Sequence, residues 1–377
     1  MLIQSLKVRH FRNLSSIETS FTPGLNLIVG QNAQGKTNLL EAIYLLVTGR
    51  SFRTTNEVEL VPWERSDYVG TMVRADIRKA SGAEQLGFYF DGKNKQVIVD
   101  GTPIQRLTHL VGRLNAVLFT PADLLLVRGA PSLRRRFLDI AIGQTNRLYL
   151  ETLQQYQQVL RNRNTMLKLA AREMSQAQAV QLDVYDEQLA TTGAQIILER
   201  RRSLDEISHS AAEHYHRIAG GSEQLRLVYE PDVSPEGEQP QPETALNFQR
   251  ILQKSRADDL RRLSTGRGPH RDDFHFEISG HAARQFASQG QQRSAVLALK
   301  FAEMDYLLAH TGERPLLLLD DVISELDDQR RAALLESLDP EVQTFITTTD
   351  VVSLEQVKAD MLVLKMRGGE ILSEPSE

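Results

Sequence analysis

The chain contains no cysteine. That excludes disulfide frameworks, thiolate-bound zinc, iron–sulfur clusters and cysteine nucleophiles in one step. No apolar stretch approaches the ~20 residues that a membrane-spanning helix needs. The opening MLIQSLKVRHFRNLSSIETSF lacks the apolar core of a secretory signal. A soluble, cytoplasmic protein with no membrane partner is the expectation. No repeat recurs at a fixed period. Basic residues fall short of acidic ones, 44 − 49 = −5. That excess of acid counts against nucleic acid only weakly, because binding depends on local patches. The 377 residues suggest roughly two domains. With 41% apolar and 25% charged residues, collagen-like, mucin-like and wholly disordered chains are excluded.

The texture changes along the chain. Leu2–Val8 reads as a strand, and Phe21-Thr-Pro-Gly24 as a turn. Leu25–Val29 is an apolar strand that runs into a Gly-rich turn, and Leu39, Leu40, Ile43, Leu46 and Val47 then follow at helical spacing. Strands are expected over 68–77, 84–90 and 97–99, with hairpin turns at Asp91-Gly92 and Asp100-Gly101. No proline occurs between Pro131 and Pro231. There Tyr149, Leu153, Tyr156, Leu160 and Leu167 share one helical face, and Leu182, Tyr185, Leu189 and Ile196 another. Two long helices, an antiparallel pair, are expected. Pro231–Glu243 holds four prolines and several acids and reads as a connector. Mixed α/β character returns with the apolar runs Leu316–Asp320 and Thr344–Thr348.

Gly30-Gln31-Asn32-Ala33-Gln34-Gly35-Lys36-Thr37 fits G-x-x-x-x-G-K-[ST]. Glycines let the backbone curl so that N–H groups point at phosphate. Lys36 reaches the β- and γ-phosphates, and the Thr37 hydroxyl ligates Mg²⁺. The start of the following helix adds partial positive charge. The bland alternative is a chance turn, but a strand before and a helix after are what the mechanism requires. Asp320 and Asp321 end an apolar strand. Asp320 suits a Mg²⁺-holding acid, and Asp321 a carboxylate that orients the attacking water. Taken alone, the pair reads better as acidic capping of a helix N-terminus. Ser288-Gln289-Gly290 opens an apolar helix and offers a second anion-binding end, or an ordinary N-cap. Ser324-Glu-Leu-Asp327 follows the acidic pair.

Order decides among these readings. Phosphate loop, Ser-x-Gly helix, strand-Asp-Asp and Ser-x-Leu-Asp, in that sequence, make the arrangement of an ABC-type ATPase head. The 320 − 36 = 284 residues between Lys36 and Asp320 leave room for a helical insertion. The expected fold class is α/β, an ABC-type head with a mixed sheet and flanking helices. Residues 1–125 form its N-terminal part, 126–260 a helical insertion domain, and 261–377 its C-terminal part. Lys36, Asp320 and Asp321 are the catalytic candidates. Residues 30–37 and 288–290 are the nucleotide-binding ones, and Thr37 and Asp320 the metal ligands.

The chain resembles the RecF family of recombinational repair ATPases over nearly its whole length. The resemblance is carried by Phe11-Arg-Asn13, Gly35-Lys-Thr-Asn-Leu-Leu-Glu41 and Gly49-Arg-Ser-Phe-Arg-Thr54. It continues in Pro121-Ala-Asp-Leu-Leu-Leu-Val-Arg-Gly129, Pro131-Ser-Leu-Arg-Arg-Arg-Phe-Leu-Asp139, Gly268-Pro-His-Arg-Asp-Asp273 and Leu319-Asp-Asp-Val-Ile-Ser-Glu-Leu-Asp327. Ala122 departs from it, where the family more often has an acid. The resemblance implies a head related to the SMC ATPases without their long coiled coil. It implies ATP and Mg²⁺ as cofactors, an ATP-dependent homodimer on gapped DNA or a single/double-strand junction, and weak DNA-stimulated hydrolysis. It also implies work with RecO and RecR in loading RecA, within DNA repair, replication and the SOS response.

Two departures from transporter-type ABC ATPases point to slow turnover. The second acid is Asp321 rather than Glu, and Thr349 stands where a switch histidine is usual. A transporter subunit and a non-catalytic ATP-liganded junction binder remain as alternatives. For DNA the basic candidates are Arg50, Arg53, Arg134–Arg136 and Arg200–Arg202, each open to the alternative of ion pairs or a solvated face. His270 and Arg271 stand either near the nucleotide or in a structural ion-pair cluster. His214 and His216 are poorly spaced for a shared metal.

Overall fold

The computed structural model describes residues 1–62, 70–170, 174–221, 223–234, 241–349 and 361–372. The chain divides into two compact units, one of Met1–Leu124 with Val296–Glu377, the other of Leu125–Ala295. Residues 261–295 thus group with the helical unit, which extends past residue 260. They do so because their strand Asp273–Ile278 pairs with Leu225–Glu230 rather than with a strand of the other unit.

The first unit is built on two sheets. One is antiparallel, in the order Leu14–Ser20, Leu2–Phe11, Thr71–Lys79, Gly82–Phe90, Lys95–Val99, Thr102–Ile104. Its strands alternate buried and exposed positions, as a sheet with one face on the core should. The second is mainly parallel, in the order Glu370–Leu372, Met361–Arg367, Leu25–Val29, Thr344–Thr348, Leu316–Asp320, Ala116–Phe119, with Glu370–Leu372 antiparallel at the edge. Its central strands LNLIV, TFITT and LLLLD are buried almost throughout. Parallel strands are covered on both faces, so they read as continuous apolar runs.

Helix Lys36–Thr48 packs against strands of both sheets. Residues 39–47 are all buried, which explains why its apolar positions spread round the helix instead of forming one stripe. The strand expected from residue 68 runs over Thr71–Lys79, and residues 68 and 69 lie outside the described ones. Asp100 and Gly101 both take positive φ, as their hairpin turn requires.

The second unit contains the expected helix pair, Arg147–Leu169 and Gln176–Ile218. Side-chain bonds Asn146–Glu199, Thr152–Gln195 and Arg163–Asp186 run in opposite senses along the two helices, so the pair is antiparallel. Ser175 and Gln178 close a capping box at the start of the longer helix. Val159 is buried on the first helix where Leu160 is only half-buried. A third helix, Gln241–Arg262, packs on the long one and takes the last residues of the expected connector. Residues 235–240 of that connector lie outside the described ones, and Pro231–Ser234 are held in part by Asp232. Among the described residues, no helix is long and apolar enough to cross a membrane.

Candidate active site

The parallel sheet places three strand ends side by side. Thr344–Thr348 lies between Leu25–Val29 and Leu316–Asp320, with Asp320 opposite Thr347 and Thr347 opposite Ile28. The loop after Val29 and the carboxylates after Leu319 therefore emerge at one edge. Strand register brings together groups 283 residues apart in sequence. The Thr37 hydroxyl donates to Asp320 Oδ1 at 2.8 Å, and the Thr347 hydroxyl donates to the same oxygen at 2.9 Å. Thr347 also accepts the Asp321 backbone N–H at 2.9 Å.

The loop itself curls as the motif requires. Ala33 and Gly35 take positive φ, and Gly35 caps the helix with no side-chain bond. The first amides of Lys36–Thr48 are left for a ligand. Lys36 Nζ donates to the carbonyls of Gly30 and Gln31 at 2.6 and 3.0 Å, so its ammonium lies across the mouth of the loop. Burial pushes its pKa down, while Asp321 and Asp320 pull the other way. Burial likewise pushes the Asp320 carboxyl up, against the hydrogen bonds from Thr37 and Thr347. Asp321 stands at the strand's end with φ 52°, and Ser324 donates to its carbonyl and to its Oδ1 at 2.7 and 3.0 Å. The first residue of Ser324-Glu-Leu-Asp327 thus orients Asp321, and Asp327 caps the next helix through the Arg330 N–H.

These residues fit a phosphate chain with a divalent cation. Among the described residues no hydrogen bond reaches Asp320 Oδ2, and the Thr37 hydroxyl lies beside that carboxylate. Hydroxyl and carboxylate oxygens are the hard donors that Mg²⁺ takes.

Sequence reasoning missed Thr347, whose signal is only a threonine inside an apolar strand. Thr349 is exposed at the strand's end. It also missed the role of Glu41, fully buried in the loop helix. Glu41 is held bidentately by Arg12 at 2.8 and 2.6 Å and accepts from Ser51, with Arg53 at 3.4 Å. Arg53 also donates to Asn38 at 2.7 Å and lowers the Asp320 carboxyl through its charge. Arg53 therefore belongs to the surroundings of the phosphate loop. Arg50 is exposed.

Ser288, Gln289 and Gly290 lie in the other unit. Ser288 caps the 23-residue helix Gln289–Thr311, accepting the Gln291 N–H at 3.2 Å while the Gln291 side chain accepts the Ser288 N–H at 2.7 Å. Gln291 donates on to Glu223 at 2.6 Å, which fixes the start of the helix.

The arginine candidates of this unit are mostly structural. Arg134 is buried and bidentate to Asp273 at 2.7 Å, and Arg135 donates to the Asp272 carbonyl at 2.6 Å. Arg200 is buried among Asp139, Tyr149, the Pro269 carbonyl and Asp272. Arg202 makes an exposed pair with Glu206. His270 is held between the Tyr156 hydroxyl at 2.7 Å and the Thr265 carbonyl at 3.0 Å, and burial lowers its pKa. Among the described residues no cluster of histidines and acids suits a metal ion held by the protein alone.

Residues 2–371 match the model of the RecF/RecN/SMC N-terminal domain family. A DNA replication and repair protein RecF of Lactobacillus delbrueckii subsp. bulgaricus is 43% identical over 378 aligned residues, covering 99% of this chain and 98% of the relative. A solved structure described as the recombination mediator protein RecF-ATPrS in the RecFOR pathway superposes with a TM-score of 0.90 at 36% identity, covering 98% of this chain and 97% of that one. An Smc head bound to the C-winged helix domain of ScpA superposes with a TM-score of 0.57 at 15% identity, covering 98% and 96%. That last likeness concerns the fold alone.

Proposed function

Because the chain belongs to the RecF family, a branch of the RecF/RecN/SMC ATPases with the ABC-type head fold, we propose that it is an ATP-driven clamp of DNA repair. The observation that carries the reading is the Thr37–Asp320–Thr347 junction, which joins phosphate loop, acidic strand and intervening strand into one site.

The amides of residues 30–37 cradle the phosphates of ATP, and Lys36 turns from the Gly30 and Gln31 carbonyls to the β- and γ-phosphates. Thr37 and Asp320 would hold Mg²⁺, which when bound would neutralise charge developing on the transferring phosphoryl group. Asp321 accepts a hydrogen bond from the attacking water and aims it. Its short side chain sets that carboxylate back, so turnover is slow. A rate well above ~10 s⁻¹, the typical enzyme value, contradicts this.

Ser288, Gln289 and Gly290 of a second copy meet the γ-phosphate at the start of their helix, so two ATP molecules lie in a symmetric dimer. ATP shifts the population toward that closed dimer, and hydrolysis withdraws the contact. The dimer forms in the cytoplasm on gapped DNA, hydrolysis is DNA-stimulated, and RecO and RecR are the partners with which it helps load RecA.

Solution sizing with Mg-ATP, with and without gapped duplex, tests the reading beside Lys36→Met. An ATP-dependent shift to dimer, strengthened by DNA and lost in the variant, is expected. A monomer under all conditions with ATP still bound removes the dimer mechanism.

A further inference from the structure

We propose that the turn Gly368-Gly369, with Asn13, is a clasp that sets the shape of the phosphate loop, so that nucleotide affinity depends on a hairpin near the end of the chain. The inference rests on the nucleotide reading above and adds a positioning turn, Gly368-Gly369, that the sequence motifs do not contain.

The loop 30–35 is held from two sides. On one side the Gly369 N–H donates to the Gln34 carbonyl at 3.0 Å, and the Gly368 N–H donates to Gln34 Oε1 at 2.6 Å. On the other, Asn13 Nδ2 donates to the Ala33 carbonyl at 3.2 Å, and Asn13 is itself fixed by the Asn38 amide at 2.7 Å. The two supports also touch each other. A Cβ built on Gly369 stands 2.0 Å from the Asn13 carbonyl oxygen, and Gly369 has φ 82°. Only glycine fits there, on grounds of space and of backbone conformation together. The hairpin reaches further down the loop as well, since a Cβ on Gly30 stands 2.5 Å from the Met366 carbonyl oxygen.

The hairpin is well anchored for this task. Its strand Met361–Arg367 pairs directly with Leu25–Val29, the strand that delivers the loop. Its return strand closes it antiparallel, and Ser15 donates to Glu370 at 3.4 Å. The loop backbone has a carbonyl tied at Ala33 and another at Gln34, within the stretch whose amides are to face phosphate. The Gln34 N–H closes the loop onto the Gln31 carbonyl at 3.4 Å, and tying the Gln34 carbonyl outward directs the N–H of the same peptide, that of Gly35, the opposite way, as a phosphate nest requires. Binding and docking are then linked and reciprocal. If the docked hairpin favours phosphate, phosphate favours the docked hairpin.

The test titrates a fluorescent ATP analogue with Mg²⁺ into the full chain and into Gly369→Ala, Gln34→Ala and their double variant. Hydrogen exchange over residues 361–372 is followed with and without nucleotide. Gln34→Ala removes the side-chain acceptor of the Gly368 N–H, and with it a 3.5 Å donation to the Asn32 carbonyl, but leaves the backbone bond from Gly369, and so keeps the test sharp if Gly369→Ala folds poorly. The expected result is at least a tenfold loss of affinity for Gly369→Ala, a smaller loss for Gln34→Ala, and no further loss in the double variant. Nucleotide slows exchange at 361–372 in the wild type and not in Gly369→Ala. A purely structural hairpin does not give that nucleotide-dependent protection. Wild-type affinity in both single variants, or protection that survives in Gly369→Ala, overturns the clasp. A wild-type chain that binds no nucleotide at all overturns the nucleotide reading instead.

Discussion

The charge knot of the helical unit and the phosphate-loop site of the strand-rich unit use charge in opposite ways. In the helical unit the buried charges have each other. Arg163 is fully buried and bonds to Asp186 and Asp259 at 2.7 Å, and Arg200 bonds to Asp139 and Asp272. Tyr229, the Asp232 N–H and the Tyr156–His270 pair complete the knot. At the phosphate-loop site, among the described residues, Asp320 accepts from two threonine hydroxyls on one oxygen and Lys36 donates to two carbonyls. Burial raises the Asp320 carboxyl's pKa and lowers the ammonium's, but it raises the Asp272 carboxyl too, so the difference between the two sites lies in how many partners each charge has. Charges satisfied by neighbours hold a fold together. Charges with few partners beside an open loop are ready to take a ligand.

The largest expected effect lies in the satisfied network. Asp272→Ala takes one of two carboxylates from Arg200, which keeps Asp139, and removes the acceptor of the Tyr229 hydroxyl and the Asp232 N–H. Loss of one partner from a buried pair costs about 3–5 kcal/mol. Urea unfolding should show it, with nucleotide affinity in the strand-rich unit less affected than stability.

The converse variant is Lys36→Met. It removes a buried ammonium for an apolar side chain of similar reach, so the melting temperature should move by no more than about 2–4 °C. Nucleotide affinity should fall more than tenfold in the same preparation. Equal loss of stability and binding erases the contrast between the units.

A smaller effect is set by His270. Its folded pKa lies below the usual value of 6.5 because burial disfavours the imidazolium. The unfolded chain therefore takes up the proton more readily. The stability owed to neutral His270 is complete above about pH 6.5 and is lost as pH falls toward the lower folded pKa. Melting curves from pH 7.5 to 5.5 should show this loss in the wild type and a shallower slope in His270→Asn. The smallest effect belongs to the exposed Arg202–Glu206 pair, where Arg202→Ala should cost no more than ~0.5 kcal/mol.

The contrast also explains what the sequence disclosed. The phosphate loop, Asp320 and Asp321 could be proposed from sequence because the chemistry assigned to them demands fixed spacing and a flanking strand and helix. Gly268-Pro-His-Arg-Asp-Asp273 and Arg134–Arg136 are just as distinctive in sequence, yet Arg134, Arg135, His270, Asp272 and Asp273 turn inward as structural partners. A motif's specificity does not say whether its charges face a ligand or each other. That distinction depends on burial and pairing across 139 residues, as for Arg134 and Asp273. The helix pair could be read from apolar spacing. Helix Gln241–Arg262 buries few apolar side chains, chiefly Phe248 and Leu252, and left a fainter pattern. Thr347 was silent because its place beside Asp320 comes from strand register, and Gly369 because its approach to Asn13 is a matter of backbone alone.

The most direct test of this account is the melting temperature of Asp320→Asn without nucleotide, measured beside its Mg-ATP turnover. The Asp320 carboxyl has a raised folded pKa, so its ionisation costs stability as pH rises through that value. Asparagine is permanently neutral, and its oxygen still accepts from Thr37 and Thr347. The account predicts a higher melting temperature at neutral pH together with abolished turnover, the trade expected where a site is held ready at the expense of stability. A lower melting temperature would show that Asp320 is a structural charge like those of the helical unit, and would contradict the account.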